Sequence, residues 1–329
     1  MAQYIEVKMQ FKNISLFILI LFSLLLTSCA SANNKSTDIR GTLSANVITH
    51  DGHAREYISY VPTNIDKNNN APLLLVLHGG GGTNQQIIQH TKSRFNQLAD
   101  KNKLYVVYPQ GLEKGWNDGR NDLKQFSSQY NIDDVGFIRA LIDNFKNDYN
   151  IDEKRVFVTG ISNGGFMSFR LGCELRDKIR AIAPITATIA EDALKYCRGK
   201  SEVGLALFNG TDDPLVPYDG GYEEVLVQKR GKITSTQYTV THWLNMLSCR
   251  HLPNKHDLPD IKNDGTTVTK FIYQLCDSDG EVALFRINGG GHTWPGSKEH
   301  KRAFKRIVGS TSQDIIACDE IWKFFNKFK

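Results

Sequence analysis

The chain has 329 residues, 40% of them hydrophobic and 23% charged, a balance that excludes a mainly disordered polypeptide and allows one large α/β domain or two smaller ones. Its formal net charge of +5 is modest and spread along the sequence. No basic block follows that would track a phosphate backbone, so no nucleic-acid partner is expected.

Lys8 and Lys12 precede an apolar run from Leu16 to Leu26 that ends at Thr27-Ser28-Cys29, the layout of a signal peptide. The run falls short of the ~20 apolar residues that span a bilayer comfortably. Leu26-Thr27-Ser28-Cys29 resembles the lipobox of bacterial lipoproteins. That resemblance implies a signal peptide over residues 1–29, lipidation of Cys29 and a membrane anchor, with Met9 as well as Met1 able to start the chain. Ala30 after the cysteine implies sorting to the outer membrane, on its periplasmic or surface face; ordinary secretion is the alternative. Export permits lasting disulfides. Of six cysteines, five follow Cys29, and the expected pairs are Cys173 with Cys197 and Cys249 with Cys276, leaving Cys318 as a buried thiol on the last helix. No close Cys or His pair has zinc-ligand spacing, so no metal is expected.

Residues 30–42 begin Ala-Ser-Ala-Asn-Asn-Lys-Ser-Thr and read as a flexible tether, followed by a single domain over residues 43–329. Tyr57 to Val61 alternates like a half-exposed strand, and Leu73 to Leu77 is a continuous apolar run, as in a strand buried on both faces. Helical spacing then places Ile88, Thr91, Phe95, Leu98 and Ala99 on one face, ahead of a strand at Leu104 to Tyr108. A second helical face carries Val135, Ile138, Leu141, Ile142 and Phe145. Further strands are expected at Val156 to Thr159, Ala181 to Ile185, Leu205 to Phe208 and Val282 to Ile287, and further helices at Phe166 to Leu175, Tyr238 to Leu247 and Ile315 to Phe325. This alternation predicts an α/β fold with a mostly parallel, doubly wound sheet flanked by helices. Thr186 to Val203 is too short for a large cap domain, whereas Leu215 to Ile233 could fold over a site as a small flap.

Gly160-Ile161-Ser162-Asn163-Gly164 lies between the strand ending at Thr159 and a helix, the context of a nucleophile elbow. Alone the pattern is weak: by composition it arises by chance in roughly one such chain in ten. A serine nucleophile also needs a base, a group that orients the base, and donors for the oxyanion. Asn209-Gly210-Thr211-Asp212-Asp213-Pro214 follows a buried strand and offers Asp213 as the acid, with Asp212 as runner-up. Among five later histidines, His292 alone follows a buried-type strand through a glycine turn, Asn288-Gly289-Gly290-Gly291. His78-Gly79-Gly80-Gly81-Gly82 matches an oxyanion loop, with Gly80 or Gly81 and the Asn163 N–H as donors. No Gly-Lys-Ser/Thr follows it, which disfavours a phosphate-binding loop. Serine, acid and histidine stand in α/β-hydrolase order, and the chemistry they imply requires no cofactor.

The motifs HGGGG, GWNDGR at Gly115 to Arg120, DDVGF at Asp133 to Phe137, GISNGG, NGTDDPLVPY at Asn209 to Tyr218 and GGGHTWPG at Gly289 to Gly296 resemble those of the poly(3-hydroxybutyrate) depolymerase and feruloyl esterase-like family of secreted serine esterases. The resemblance runs from about residue 45 to the C-terminus. It implies an α/β-hydrolase fold, a triad of Ser162, Asp213 and His292, and support for both cysteine pairs. Asn209 departs from a histidine common in relatives. An ester substrate is implied, first a short-chain polyhydroxyalkanoate in chain or oligomer form. The alternatives are feruloyl or acetyl esters on plant polysaccharide, a peptidase of the same fold, and a non-catalytic binding lipoprotein. Trp116 and Trp294 are candidates for lining the substrate pocket, with structural packing the competing role.

Overall fold

The computed structural model describes residues 40–66, 70–225, 228–277 and 279–328. The expected signal peptide, Cys29 and most of the tether lie outside the described residues. At the start of the described residues the backbone N–H of Arg40 donates to Asp100 and that of Gly41 to the Tyr60 hydroxyl. Strand β1 (Thr42–His50) then pairs with β2 (His53–Val61) through a two-residue turn. Asp51 and Gly52 both have positive φ, 48° and 73°, as a twist-compatible hairpin turn requires.

Among the described residues ten strands form one sheet. Its centre is parallel: β4 (Tyr105–Pro109), β3 (Ala71–Leu77), β5 (Ile151–Ile161), β6 (Ala181–Ile185), β7 (Gly204–Gly210) and β12 (Val282–Asn288), in that spatial order. Antiparallel flanks extend it, β2 and β1 on one side and β11 (Thr267–Tyr273) and β10 (Asn254–Asp257) on the other. A two-stranded hairpin, β8 (Gly221–Val225) with β9 (Gln228–Ile233), stands apart from the sheet.

Alternation along β3 divides the core. Leu73, Leu75 and Leu77 join a cluster with Phe137, Leu141 and Phe145 of helix α4 (Asp134–Tyr149), while Leu74 and Val76 join one with Phe95, Ile321 and Phe325. Successive strand residues point to opposite faces, so a continuous apolar run is what a strand covered by helices on both sides needs.

The single helical face expected from Ile88 to Ala99 is two helices, α1 (Asn84–His90) and α2 (Arg94–Asn102). Lys92 and Ser93 both adopt φ of 53°, and the Thr91 hydroxyl donates to the Ile87 and Ile88 carbonyls, ending α1. A shared buried stripe does not require a continuous helix. Helix α3 (Phe126–Gln129) precedes α4, and α5 (Asn163–Glu174), α6 (Thr236–Met246), α7 (Arg302–Val308) and α8 (Ala317–Phe325) complete the set among the described residues.

Both expected disulfides are present, Cys173–Cys197 and Cys249–Cys276, and Cys318 is a buried free thiol. Loops of these lengths give each bridge roughly 3 kcal/mol of stabilisation through the unfolded chain.

Candidate active site

The elbow is a backbone construction. Strand β5 ends at Ile161, α5 begins at Asn163, and Ser162 between them is held at φ 55°, ψ −123°. A non-glycine residue in such a conformation costs about 1–3 kcal/mol and persists only where its surroundings over-determine it. Here the Ser162 N–H donates to Ile185 O at 2.9 Å and its carbonyl accepts from Phe166 N at 2.8 Å. A Cβ on Gly160 would lie 2.5 Å from Gly164 O, and one on Gly164 would lie 2.5 Å from His78 O. Both glycines are therefore required by close backbone approach.

Asp213 leaves the C-terminal end of β7. Its Oδ1 accepts from the N–H groups of Leu215 and Val216, both at 2.9 Å, and its Oδ2 lies 2.8 Å from His292 Nδ1. A ring that donates from Nδ1 to the carboxylate leaves Nε2 free to accept a proton. The runner-up, Asp212, is exposed and bonds its neighbour Thr211 instead. Asn209 is buried and ties β7 to Ala187 and Thr236. His242, which the sequence places on a helix, bonds the Cys197 carbonyl.

Ser162 and His292 line one open cavity of about 530 Å³ together with the glycine loop. The Ser162 hydroxyl has no hydrogen-bond partner among the described residues, and catalytic hydrogen bonds commonly tighten only when substrate is bound.

Of the two loop glycines expected as oxyanion donors, one has its N–H already engaged. Gly81 N–H is engaged by Lys114 O at 2.8 Å, because the 111–115 turn packs beneath it. Gly79 O is fixed from two sides, by His78 Nδ1 at 2.8 Å and Gly82 N at 3.0 Å. In a trans peptide the next N–H points the opposite way, so these bonds orient Gly80 N–H. Gly80 adjoins Asn163: a Cβ there would lie 3.6 Å from Asn163 Cβ. Neither the Gly80 nor the Asn163 N–H has a partner among the described residues.

His78 is locked as the neutral ring that supports this loop. Its Nε2 accepts from Gly111 N at 3.0 Å, and burial lowers its pKa from 6.5 to about 4.

The expectation that Trp116 and Trp294 line the pocket is corrected. Both are buried, at 0% and 1% exposure, and neither borders the cavity. Trp116 Nε1 donates to His78 O at 2.9 Å, fastening the turn beneath the oxyanion loop, and Trp294 meets Phe95 edge-on. An indole near a catalytic residue in sequence can serve as its support.

Sequence reasoning missed a polar wall. The Asn163 side chain accepts from Trp116 N and Gln125 Nε2, both at 2.9 Å, and donates to Asp118 Oδ2 at 2.5 Å. Asp118 holds Arg120 through two nitrogens, and Arg120 also ion-pairs Glu223 on β8. Arg120, Gln125, Glu223 and Arg230 border the cavity, and Ile87, His90, His300 and Phe304 border it elsewhere. The GWNDGR run and the expected flap were visible in the sequence, but nothing local in it joins Arg120 to a glutamate 103 positions later. The flap does border the cavity, through Leu215, Glu223 and Arg230. Among the described residues no group of three or more His, Cys, Asp or Glu is placed to hold a metal ion.

No family model matches the chain. A protein of Nocardia uniformis subsp. tsuyamanensis named "Putative esterase NocK" is 28% identical over 256 residues, covering 75% of this chain and 72% of that protein. Feruloyl esterase D of Neurospora crassa is 26% identical over 334 residues, covering 96% and 98%. The solved acetyl xylan esterase from Aspergillus awamori superposes with a TM-score of 0.54 at 15% identity, over 80% of this chain and 97% of that one. The fold is that of the α/β-hydrolases. The chain is a carboxylic ester hydrolase.

Proposed function

We propose that the protein is an exported serine esterase that works through Ser162, His292 and Asp213. One observation carries the reading: Ser162, on a strained elbow, shares a cavity with a histidine whose Nδ1 is held 2.8 Å from a buried carboxylate. His292 Nε2 takes the Ser162 proton as Oγ attacks the ester carbonyl, and the N–H groups of Gly80 and Asn163 receive the oxyanion. Collapse breaks the ester C–O bond, His292 gives its proton to the departing alcohol, and an acyl-serine remains. Water, deprotonated by His292, then releases the acid.

Hydroxycinnamoyl esters on polysaccharide are the leading substrates, because a relative named feruloyl esterase aligns with nearly the whole chain. Short-chain polyhydroxyalkanoate is the second reading. It is favoured by a cavity that is open and carries the half-exposed Phe304 on its border, which suits an aliphatic polymer end. The lipobox-like Leu26 to Cys29 supports a membrane anchor through Cys29, and two disulfides suit an oxidising compartment.

Hydrolysis of p-nitrophenyl acetate and butyrate, methyl ferulate, acetylated xylan and hydroxybutyrate oligomers, with Ser162→Ala alongside, tests the reading. Loss of at least ~10³-fold in the variant is expected, and ferulate over hydroxybutyrate would rank the substrates. A folded protein with no turnover, or with turnover independent of Ser162, overturns it.

A further inference from the structure

The cavity's polar wall carries a cation, Arg230, whose nearest carboxylate among the described residues lies beyond hydrogen-bond reach. Arg120 is held between two carboxylates, hydrogen-bonded to Asp118 and ion-paired with Glu223, and lies over the Phe166 ring. Arg230, on β9, has Asp122 as its one ion-pair partner among the described residues, at 3.9 Å, beyond hydrogen-bond reach. Its Nε is buried with no hydrogen-bond partner among the described residues.

The strand that carries Arg230 is fixed from the elbow outward. Asn163 bonds Asp118, Asp118 bonds Arg120, and Arg120 ion-pairs Glu223 on the partner strand of the hairpin. Beside Arg230, Gly231 rides directly on Arg120, where a Cβ would come within 2.9 Å of the Arg120 Cβ. The residue after the nucleophile thus sets, through three buried side chains, where the Arg230 guanidinium stands on the cavity border.

We propose that Arg230 is a specificity-determining residue that donates hydrogen bonds to uncharged oxygen substituents of the substrate, the hydroxyl and methoxyl groups of an aromatic acyl chain. The charge balance of the wall selects a neutral group: Arg120 and Arg230 face three carboxylates, Asp118, Asp122 and Glu223. An anion entering there meets no net attraction, whereas a neutral oxygen can accept from a guanidinium with donors to spare. This inference rests on the hydroxycinnamoyl-ester reading for its aromatic acyl chain and on the serine esterase reading for its kinetic form.

Methyl ferulate and methyl cinnamate differ by just these ring substituents, and their kcat/KM ratio is the readout. The wild type is expected to favour the ferulate by about tenfold, the scale of one hydrogen bond to a charged donor. In Arg230→Ala the ratio should fall toward one through KM, and Arg230→Gln, which keeps a donor, should restore part of it. A ratio that survives in Arg230→Ala, a wild type without preference, or equal losses on both esters overturns the proposal. Calorimetric binding of the same two esters to Ser162→Ala, with and without Arg230→Ala, decides the matter without turnover. A tenfold preference lost with Arg230 supports the proposal, and equal affinities or no binding defeats it. Turnover independent of Ser162 would defeat the esterase mechanism alone.

Discussion

Two sides of one cavity are held by different physics. Around Ser162 and Gly80 the geometry is set by main chain against main chain: glycines where a Cβ would strike a carbonyl, and N–H groups committed to particular oxygens. Around Arg120, Glu223 and Arg230 it is set by charged side chains that reach across from separate elements. The first arrangement has almost no freedom to vary without losing the elbow. The second can be re-cut one side chain at a time. On the proposed mechanism chemistry is tied to the backbone and substrate choice to exchangeable groups, which suits a fold that hosts many functions.

The sharpest way to break this contrast is to make one small substitution on each side. Gly164→Ala would put a Cβ 2.5 Å from His78 O and 2.7 Å from Leu77 O, both backbone atoms that cannot step aside. We expect kcat to fall by more than ~100-fold, as reacting atoms misplaced by about 1 Å do, with about 3 kcal/mol lost in urea unfolding. Full activity in this variant would show that the elbow tolerates the shift and that its geometry is less binding than the contacts imply. On the polar side, Asp118→Asn keeps the shape and one acceptor oxygen but leaves Glu223 as the remaining carboxylate paired with Arg120 among the described residues. A loss of about tenfold in kcat/KM is expected, because Asn163 loses a charged acceptor while its bonds to Trp116 and Gln125 remain. A collapse as deep as that of Gly164→Ala would erase the distinction between the two sides.

Protonation sharpens the same comparison. His78 and His90 are both held neutral, their pKa values lowered by burial from 6.5 to about 4, with His300 and Lys92 adding repulsion at His90. A histidine whose folded pKa is depressed binds its proton more readily when unfolded. The stability it contributes is complete above pH 6.5 and is lost as pH falls toward 4. For His78 the loss approaches roughly 3 kcal/mol across that window, and it lands on the glycine loop His78 to Gly82. The urea midpoint should fall steadily between pH 6.5 and 4, and His78→Gln should flatten part of that slope. An unchanged slope would mean that His78 is not the buried neutral ring described.

Much of this was legible in the sequence, for a physical reason. A strand buried on both faces is apolar nearly throughout, so Leu73 to Leu77 and the apolar runs within β5, β7 and β12 announce themselves and fix where the elbow, acid and histidine emerge. Strands covered on one side or exposed carry a weaker signal. β1, with Leu43 and Val47 exposed, and β10, exposed throughout, carry no buried apolar run that marks a strand. The Asp51-Gly52 turn was nonetheless present as a hairpin cue. The helix break at Lys92 and Ser93 was hidden because buried periodicity continues across it. The Gly81 N–H could not be excluded in advance, since its partner, Lys114 O, comes from a turn 33 residues away.

The smallest effect concerns Trp294. If the catalytic side is a backbone construction, this indole acts from behind, by filling the space between His292's loop and Phe95 at 6.0 Å, and touches no substrate. Trp294→Phe keeps an aromatic ring in a core site but leaves part of the indole's volume empty. About 1–2 kcal/mol of stability should be lost, below the ~3–5 kcal/mol of full truncation to alanine. KM for methyl ferulate should stay within about twofold, since uniform binding is lost only when a group in contact with substrate is removed. A KM that rises tenfold while the urea midpoint holds would put the indole face in the pocket after all. The cavity's border would then extend behind His292, and the division between a fixed catalytic side and an adjustable binding side would have to be redrawn through Trp294 itself.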